Sequence, residues 1–478
     1  KKTTDKKKVD EKKTDKKSDK TTASKDKSKT TDKNSQTADK NSKTTKPSKA
    51  ELAKQAEQKR LEEAKKRADA ERQAAARKAE EARRQAALAE QRRREQAARE
   101  ARERHLAFER GLKTETQTNI ANDDTEGEDL EVRRAAVNAL GNRAGTVVVM
   151  EPQTGKILSI VNQEWAIRRS FKPCSTIKLV TGVAGLNEKV IDSSGNIKSR
   201  KFPLNLDDAL AHSNNSYFQV AGSNIGNERM ISYAKALGLG EPTGINAENE
   251  TAGKLPYGNN NGRVYSHGDD FEVTPLQLSV MVSAISNGGK MVVPQIPKTR
   301  AEKTNFRGYM KKQVEIPQES LQRVLPGMIG AVNYGTAQRA ADYSLNIAGK
   351  TGSCIGQGSW LGLFASVAPV VNPRLSVVVI TRGSGERGKY ASEIAGKIYK
   401  SLSHRFNDGK EYVAKVPLEL KPQQKATAKT SQQLDNSEGE DSDEGDVPKP
   451  QPKKASPKKG VEAKTTFDPI IIQTNRET

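Results

Sequence analysis

The first 110 residues contain almost no aromatic side chain, so they cannot fold around a core of their own. Residues 1–50 carry 18 lysines against 8 acidic residues, and residues 51–110 carry 18 basic against 13 acidic ones. Most of the +22 net charge therefore lies in the first quarter of the 478-residue chain. A block this charged buries too little apolar surface to offset its ordering entropy. Dividing the length by ~150 residues per domain overstates the domain count, and one globular domain with tails is expected. The longest apolar candidate, Trp360–Val371, is too short to span a bilayer, so the chain as given is expected to be soluble. It does not begin with Met and opens with no signal pattern, which leaves room for a signal or anchor segment removed upstream.

Residues 1–49 are an aperiodic Lys/Thr/Ser/Asp mixture, read as a disordered polycation or solvated linker. Residues 50–110 change to Ala, Glu, Gln, Lys and Arg with neither Gly nor Pro inside, which predicts one long charged helix, a rod of about 90 Å. Glu-to-basic pairs recur at i,i+4, as in Glu62/Lys66, Glu80/Arg84 and Glu90/Arg94, while Leu52, Leu61, Leu88 and Leu106 keep no heptad register. A solvated single helix is favoured over a coiled coil. Gly111 is expected to end it, and residues 111–129 to form a linker. Residues 130–405 then read as the globular domain and 406–478 as a disordered tail. Within that domain Val132–Leu140 and Tyr390–Leu402 predict amphipathic helices. Thr146–Met150, Ile157–Val161, Ile347–Gly352, Trp360–Ala368 and Leu375–Thr381 predict strands. Strands at both ends with helices between imply an α+β domain whose first and last segments pair in one sheet.

Three short patterns carry chemistry. In Ser175-Thr176-Ile177-Lys178 the lysine lies one helical turn beyond the serine, within reach of its hydroxyl. That spacing makes a nucleophile and its base, provided burial or a neighbouring cation depresses the lysine's pKa. In Ser213-Asn214-Asn215, Ser213 can pass a proton to a leaving group and Asn215 can hydrogen-bond Lys178 and a substrate amide. In Lys350-Thr351-Gly352-Ser353 the lysine supplies charge, the two hydroxyls meet a substrate carboxylate, and the glycine admits close approach. Backbone N–H groups of Ser175 and Ser353 would form an oxyanion hole. Alone, each pattern is more often a surface helix, a helix cap or a Gly-rich strand end. His105, His212, His267 and His404 have no ligand spacing, and no metal or cofactor is expected. Trp165 and Trp360 read as packing residues.

In this order, S-x-x-K, S-x-N and K-T-G resemble the signature of the serine penicillin-recognising proteins. Val147–Val161 is similar to the opening hairpin of penicillin-binding protein transpeptidase domains. Thr274-Pro275-Leu276-Gln277, Ser286-Asn287-Gly288-Gly289, Gly335-Thr336 and Trp360–Pro369 resemble further landmarks in the same order. The resemblance covers roughly Asp129 to Arg405. It implies a β-lactamase/transpeptidase-like fold, a five-stranded antiparallel sheet with flanking helices and a helical lobe, the cleft lying between. It also implies acyl transfer from peptidoglycan stem peptides through a Ser175 acyl-enzyme, with β-lactams as acylating agents.

The chain departs from the family at several points. Only 37 residues lie between Ser175 and Ser213, and a charged helix stands where a folded pedestal is usual. The usual Gly before the nucleophile is Cys174. Some class A β-lactamases bridge that position to the residue following this third pattern, and by that resemblance a Cys174–Cys354 disulfide is expected. The bridge implies an oxidising, extracytoplasmic compartment of a bacterial envelope, and it raises a β-lactamase as rival. Against that rival, no Glu-x-x-Leu-Asn segment lies between the second and third patterns. A D,D-carboxypeptidase is a further alternative, as is a non-turnover β-lactam or muropeptide sensor or scaffold. The expected partners are stem peptides, β-lactams and envelope proteins meeting the charged helix. A nucleic-acid role would need a cytoplasmic chain.

Overall fold

A computed structural model of the chain describes residues 48–405. The tails expected at 1–49 and 406–478 lie outside the described residues, Ser48 and Lys49 excepted. Two compact units are separated between Glu95 and Gln96.

Helix α1 runs Lys49–Ala121. Every side chain from Ala50 through Phe108 is exposed. Glu62–Lys66, Glu80–Arg84 and Glu90–Arg94 form ion pairs of 3.3, 2.9 and 2.6 Å, as the i,i+4 spacing requires. The expected end at Gly111 is wrong by about three turns. Gly111 sits in open space, and the burial of Leu112 and Thr116 outweighs its cost of about 1 kcal/mol. The expected linker over 111–129 is therefore partly helix. Its acidic remainder is anchored: Asp123 accepts the Asn162 and Gln163 N–H groups at 2.8 Å each, and Glu128 accepts that of Ile160 at 3.0 Å.

Beyond it come α2 (Leu130–Leu140), capped by Asp129, and the hairpin β1 (Gly145–Met150) and β2 (Ile157–Val161). A helical stretch follows with α3 (Lys178–Asn187), α4 (Leu206–Ala211), α5 (Asn215–Ile225), α6 (Asn227–Ala236), α7 (Arg263–His267) and α8 (Pro275–Ser286). Two short strands, β3 (Lys290–Val293) and β4 (Tyr309–Gln313), pair beside it, with α9 (Arg300–Thr304) between them. After α10 (Gln318–Gln322) and α11 (Leu325–Asn333), the chain returns through β5 (Ala348–Gly356), β6 (Ser359–Ala368) and β7 (Leu375–Arg382) to α12 (Gly388–Ser401).

The main sheet has the order β2-β1-β7-β6-β5, with every neighbour antiparallel. First and last strands pair as expected, Val147 opposite Val379 and Val148 opposite Val378. Alternate side chains feed two cores. Val148, Met150, Val378 and Ile380 face one, while Val147, Val149, Val377 and Val379 face the other with α2 and α12. Burial on both faces explains why these strands read as unbroken apolar runs. The wholly buried α8 begins in a capping box of Thr274 and Gln277, with Pro275 at its first position. Gln277 also donates to Glu241 O and Ala252 O, both at 2.8 Å. β5 is left as the sheet edge beside the helical stretch.

Candidate active site

Ser175 does not open a regular helix. It lies in the 3-10 turn Cys174–Ile177, which leads straight into α3 at Lys178. The turn keeps the spacing that matters, since Lys178 Nζ stands 2.9 Å from Ser175 Oγ. Ser175 is 8% exposed and Lys178 is fully buried. Nζ also meets Ser213 O at 2.6 Å, Ser213 Oγ at 2.9 Å and Asn215 Oδ1 at 2.6 Å. Two of these four, the carbonyl and amide oxygens, can only accept. A neutral lysine spends its two N–H groups on them and turns its lone pair to the hydroxyls. An ammonium gives its third N–H to a hydroxyl instead. These oxygens can therefore serve the amine both before and after it takes a proton.

The second pattern owes its shape to a cap. Asn214 is the N-cap of α5, its side chain accepting the Tyr217 N–H at 2.9 Å. Ser213 before it has φ +56°, a left-handed backbone uncommon outside Gly. That turn points Ser213 and Asn215 at the same amine. The ring of Phe218, one turn into α5, lies with its centroid 5.9 Å from Nζ.

The third pattern sits on β5. Lys350 is fully buried and donates to Thr351 O at 3.0 Å. Ser353 Oγ accepts the Gly388 N–H at 2.9 Å, which leaves its own proton for donation to an anion. Gly352 also lets two segments pack closely. A Cβ there would stand 3.2 Å from both Cys174 Cβ and Pro173 O, so the turn before Ser175 packs directly on this strand. Cys174 and Cys354 are disulfide-bonded with Cα atoms 5.6 Å apart. Cys174 has φ +50°, a left-handed backbone that glycine adopts more readily than cysteine. The first two patterns thus meet at the Lys178 amine, and the disulfide and the Gly352 packing join the turn that carries Ser175 to the strand β5 that carries the third.

Two contacts were not legible as site features. Thr336 Oγ1 lies 2.5 Å from Thr351 Oγ1, and Gly388 supports Ser353. Gly335-Thr336 stood out only as a landmark, and nothing local marks Gly388. Trp165 is fully buried, its Nε1–H donated to Glu115 at 3.0 Å, and Trp360 stacks under the Arg387 guanidinium. His212 borders the site, and burial lowers its pKa below 6.5. Among the described residues, no three His, Cys, Asp or Glu side chains gather as a metal site, and no helix is long and apolar enough to cross a membrane.

Comparison with known proteins agrees with this geometry. The peptidoglycan D,D-transpeptidase MrdA of Haemophilus influenzae is 24% identical over 383 residues, covering 61% of this chain and 58% of that protein. Stage V sporulation protein D of Bacillus subtilis is 26% identical over 308 residues, covering 53% of this chain and 48% of that protein. The chain thus spans about half the length of these curated relatives. A peptidoglycan glycosyltransferase structure from Burkholderia ambifaria matches 59% of this chain and 98% of that one, with 20% identity and a TM-score of 0.52, a likeness of fold. The pattern of the penicillin binding protein transpeptidase domain matches residues 145–403, more than half of the chain. By that match over more than half of its length, this chain belongs to the penicillin-binding protein transpeptidase family.

Proposed function

We propose that the protein is a penicillin-binding D,D-transpeptidase acting on peptidoglycan stem peptides. The observation that carries this reading is the amine of Lys178, held between the hydroxyls of Ser175 and Ser213. Lys178 takes the Ser175 proton as Oγ attacks the carbonyl of the penultimate D-Ala. The backbone N–H groups of Ser175 and Ser353 receive the developing oxyanion. The amide C–N bond then breaks, and the proton returns through Ser213 to the departing D-Ala amine. Asn215 holds Lys178 and the substrate amide, while Lys350, Thr351 and Ser353 bind the terminal carboxylate. An amine of a second stem peptide attacks the acyl-enzyme carbonyl, the cross-linking amide forms as the bond to Ser175 Oγ breaks, and the proton lost by the amine passes through Lys178 to Oγ. β-Lactams acylate the same oxygen.

The transpeptidase domain is assigned to residues 130–405 and a stalk to the charged helix before it, which offers a surface to other envelope proteins. The Cys174–Cys354 bond supports an extracytoplasmic location in a bacterial envelope. The test is intact-protein mass after excess benzylpenicillin, with Ser175→Ala as control, followed by assay with stem peptides. A lasting adduct on the wild type alone and cross-linked peptide dimers are expected. Free D-Ala without dimers would assign a carboxypeptidase, and rapid hydrolysis of the drug a β-lactamase. A lasting adduct without peptide turnover would assign a sensor. Neither adduct nor hydrolysis would remove Ser175 as nucleophile.

A further inference from the structure

One face of helix α1 reaches the domain through Phe108, Glu109, Leu112, Glu115 and Thr116, at the i, i+1, i+4, i+7 and i+8 spacing of a helical stripe. Leu112 and Thr116 are buried, whereas the other three contact two segments that lead to the site. The Arg382 guanidinium lies 5.6 Å from the centroid of the Phe108 ring. Glu109 Oε1 accepts the Ser384 N–H at 2.5 Å. Glu115 Oε1 accepts the Trp165 Nε1–H at 3.0 Å and pairs with Arg169 at 2.9 Å.

From these contacts two routes run to the segments that carry Ser353 and Ser175, which serve as the two walls of the proposed site. Arg382 donates to Ser359 Oγ at 2.8 Å and to Gln357 O, holding the turn that ends β5. Ser384 belongs to the loop Gly383–Arg387, which delivers Gly388 to Ser353. Gly388 packs so closely that a Cβ there would meet Thr351 Cβ at 2.7 Å. On the other wall, Trp165 and Arg169 begin the segment that runs through Ser170 to Cys174 and Ser175. Gln357 Nε2 donates to Ser170 O at 3.1 Å and closes the circuit between the routes.

We propose that the Phe108–Glu115 stretch of α1 is a positioning element for acylation, with Glu109 and Glu115 as its positioning residues. It sets the spacing between the arm that carries Ser175 and the strand that carries Ser353. This rests on the acyl-transfer reading above. Neither glutamate touches a reacting atom. A remote misplacement of about 1 Å can cost on the order of 10²-fold in rate, and both walls lie within a few contacts of α1.

The test uses the full chain and a fluorescent penicillin at rising concentration. It separates the limiting rate constant of acylation from the half-saturating concentration, with thermal unfolding measured alongside. For Glu109→Ala and Glu115→Ala the limiting rate constant is expected to fall about tenfold or more, while the half-saturating concentration moves by less than about twofold. Glu109→Gln keeps an acceptor for the Ser384 N–H and is expected to restore the rate. Should the alanine variants fail to fold, Phe108→Ala removes an exposed ring and is expected to slow acylation in a folded protein. Lower melting temperatures with wild-type limiting rates would assign these contacts to stability alone and overturn the proposal. A wild type that forms no Ser175-dependent adduct would overturn the acyl-transfer reading, and the proposal with it.

Discussion

Cys174 and Cys354 are joined by a disulfide that ties the residue before Ser175 to the residue after Ser353. The bond crosses a separation of 180 residues and holds Cys174 in a left-handed backbone that a non-glycine residue otherwise pays about 1–2 kcal/mol to adopt. Reduction, or the double variant Cys174→Ser/Cys354→Ser, is expected to cost about 3–5 kcal/mol of stability through the longer loop released in the unfolded chain. Slower β-lactam acylation is expected as well, because the two walls then lose their covalent link. Denaturant unfolding and an adduct time course read the two effects separately. Full-speed acylation in the reduced protein would show that packing alone holds the cleft.

The four oxygens around Lys178 Nζ define a second expectation. Lys178→Ala removes the group that takes the Ser175 proton, and acylation is expected to slow by about 10²–10⁴-fold. Asn215→Ala is expected to slow it less, since Ser213 O and both hydroxyls still surround the amine. Rates from adduct mass on folded variants check the order. Equal losses in the two variants would show that Asn215, through the amine and the substrate amide together, matters as much as the base itself.

The sheet was legible in the sequence because its strands follow from local rules, and the spacing of Ser175 and Lys178 was legible for the same reason. Val147–Met150 and Ser376–Ile380 are apolar runs bounded by turns, and their burial on both faces makes them strands. The motif spacings survive even though Ser175 lies in a 3-10 turn, since a lysine three residues on reaches back in either helix type. Failures arose where distant packing overrules local preference. Gly111 stops a helix in isolation, yet Leu112 and Thr116 bury against the domain and carry α1 to Ala121. Asp123 and Glu128 read as solvated linker, although Arg133 and backbone N–H groups draw both carboxylates inside. Gly388 supports Ser353 from 35 residues away, a contact that exists only once α12 has folded behind β5.

Arg133 marks the next prediction. Its side chain is 12% exposed and bonds Asp123 at 2.9 Å and Glu128 at 3.0 Å, whose side chains are 1% and 0% exposed. Burial raises both carboxyl pKa values above the ordinary 3.8 and 4.5 despite these bonds. Arg133→Ala leaves two buried charges uncompensated and is expected to cost about 3–5 kcal/mol at neutral pH. A carboxyl whose folded pKa is raised binds its proton more tightly when folded, so folding gains as the pH falls. The deficit of the variant is therefore expected to shrink as the pH is lowered toward 3.8 to 4.5. Denaturant unfolding of both proteins across that range checks it. A deficit independent of pH would trace the loss to packing.

His212 supplies a pH dependence of the opposite sign, next to the site. Its ring is partly buried beside Tyr334, with centroids 5.7 Å apart, and desolvation lowers its pKa below 6.5 although Asp208 acts to raise it. Between the lowered folded value and 6.5, the unfolded chain binds the proton and the folded one does not. The stability contributed by neutral His212 is thus fully present above 6.5 and is lost as the pH falls through the folded value. His212→Asn is expected to remove this slope, so the difference in melting temperature between wild type and variant narrows on acidification. Because His212 immediately precedes Ser213 in the turn that faces Lys178, a charged ring there is also expected to disturb the Ser213 contact and slow acylation below the same pH. Melting curves and acylation rates at a series of pH values test both effects. A wild type and variant with parallel pH profiles would show that His212 stays outside the titration that the site senses.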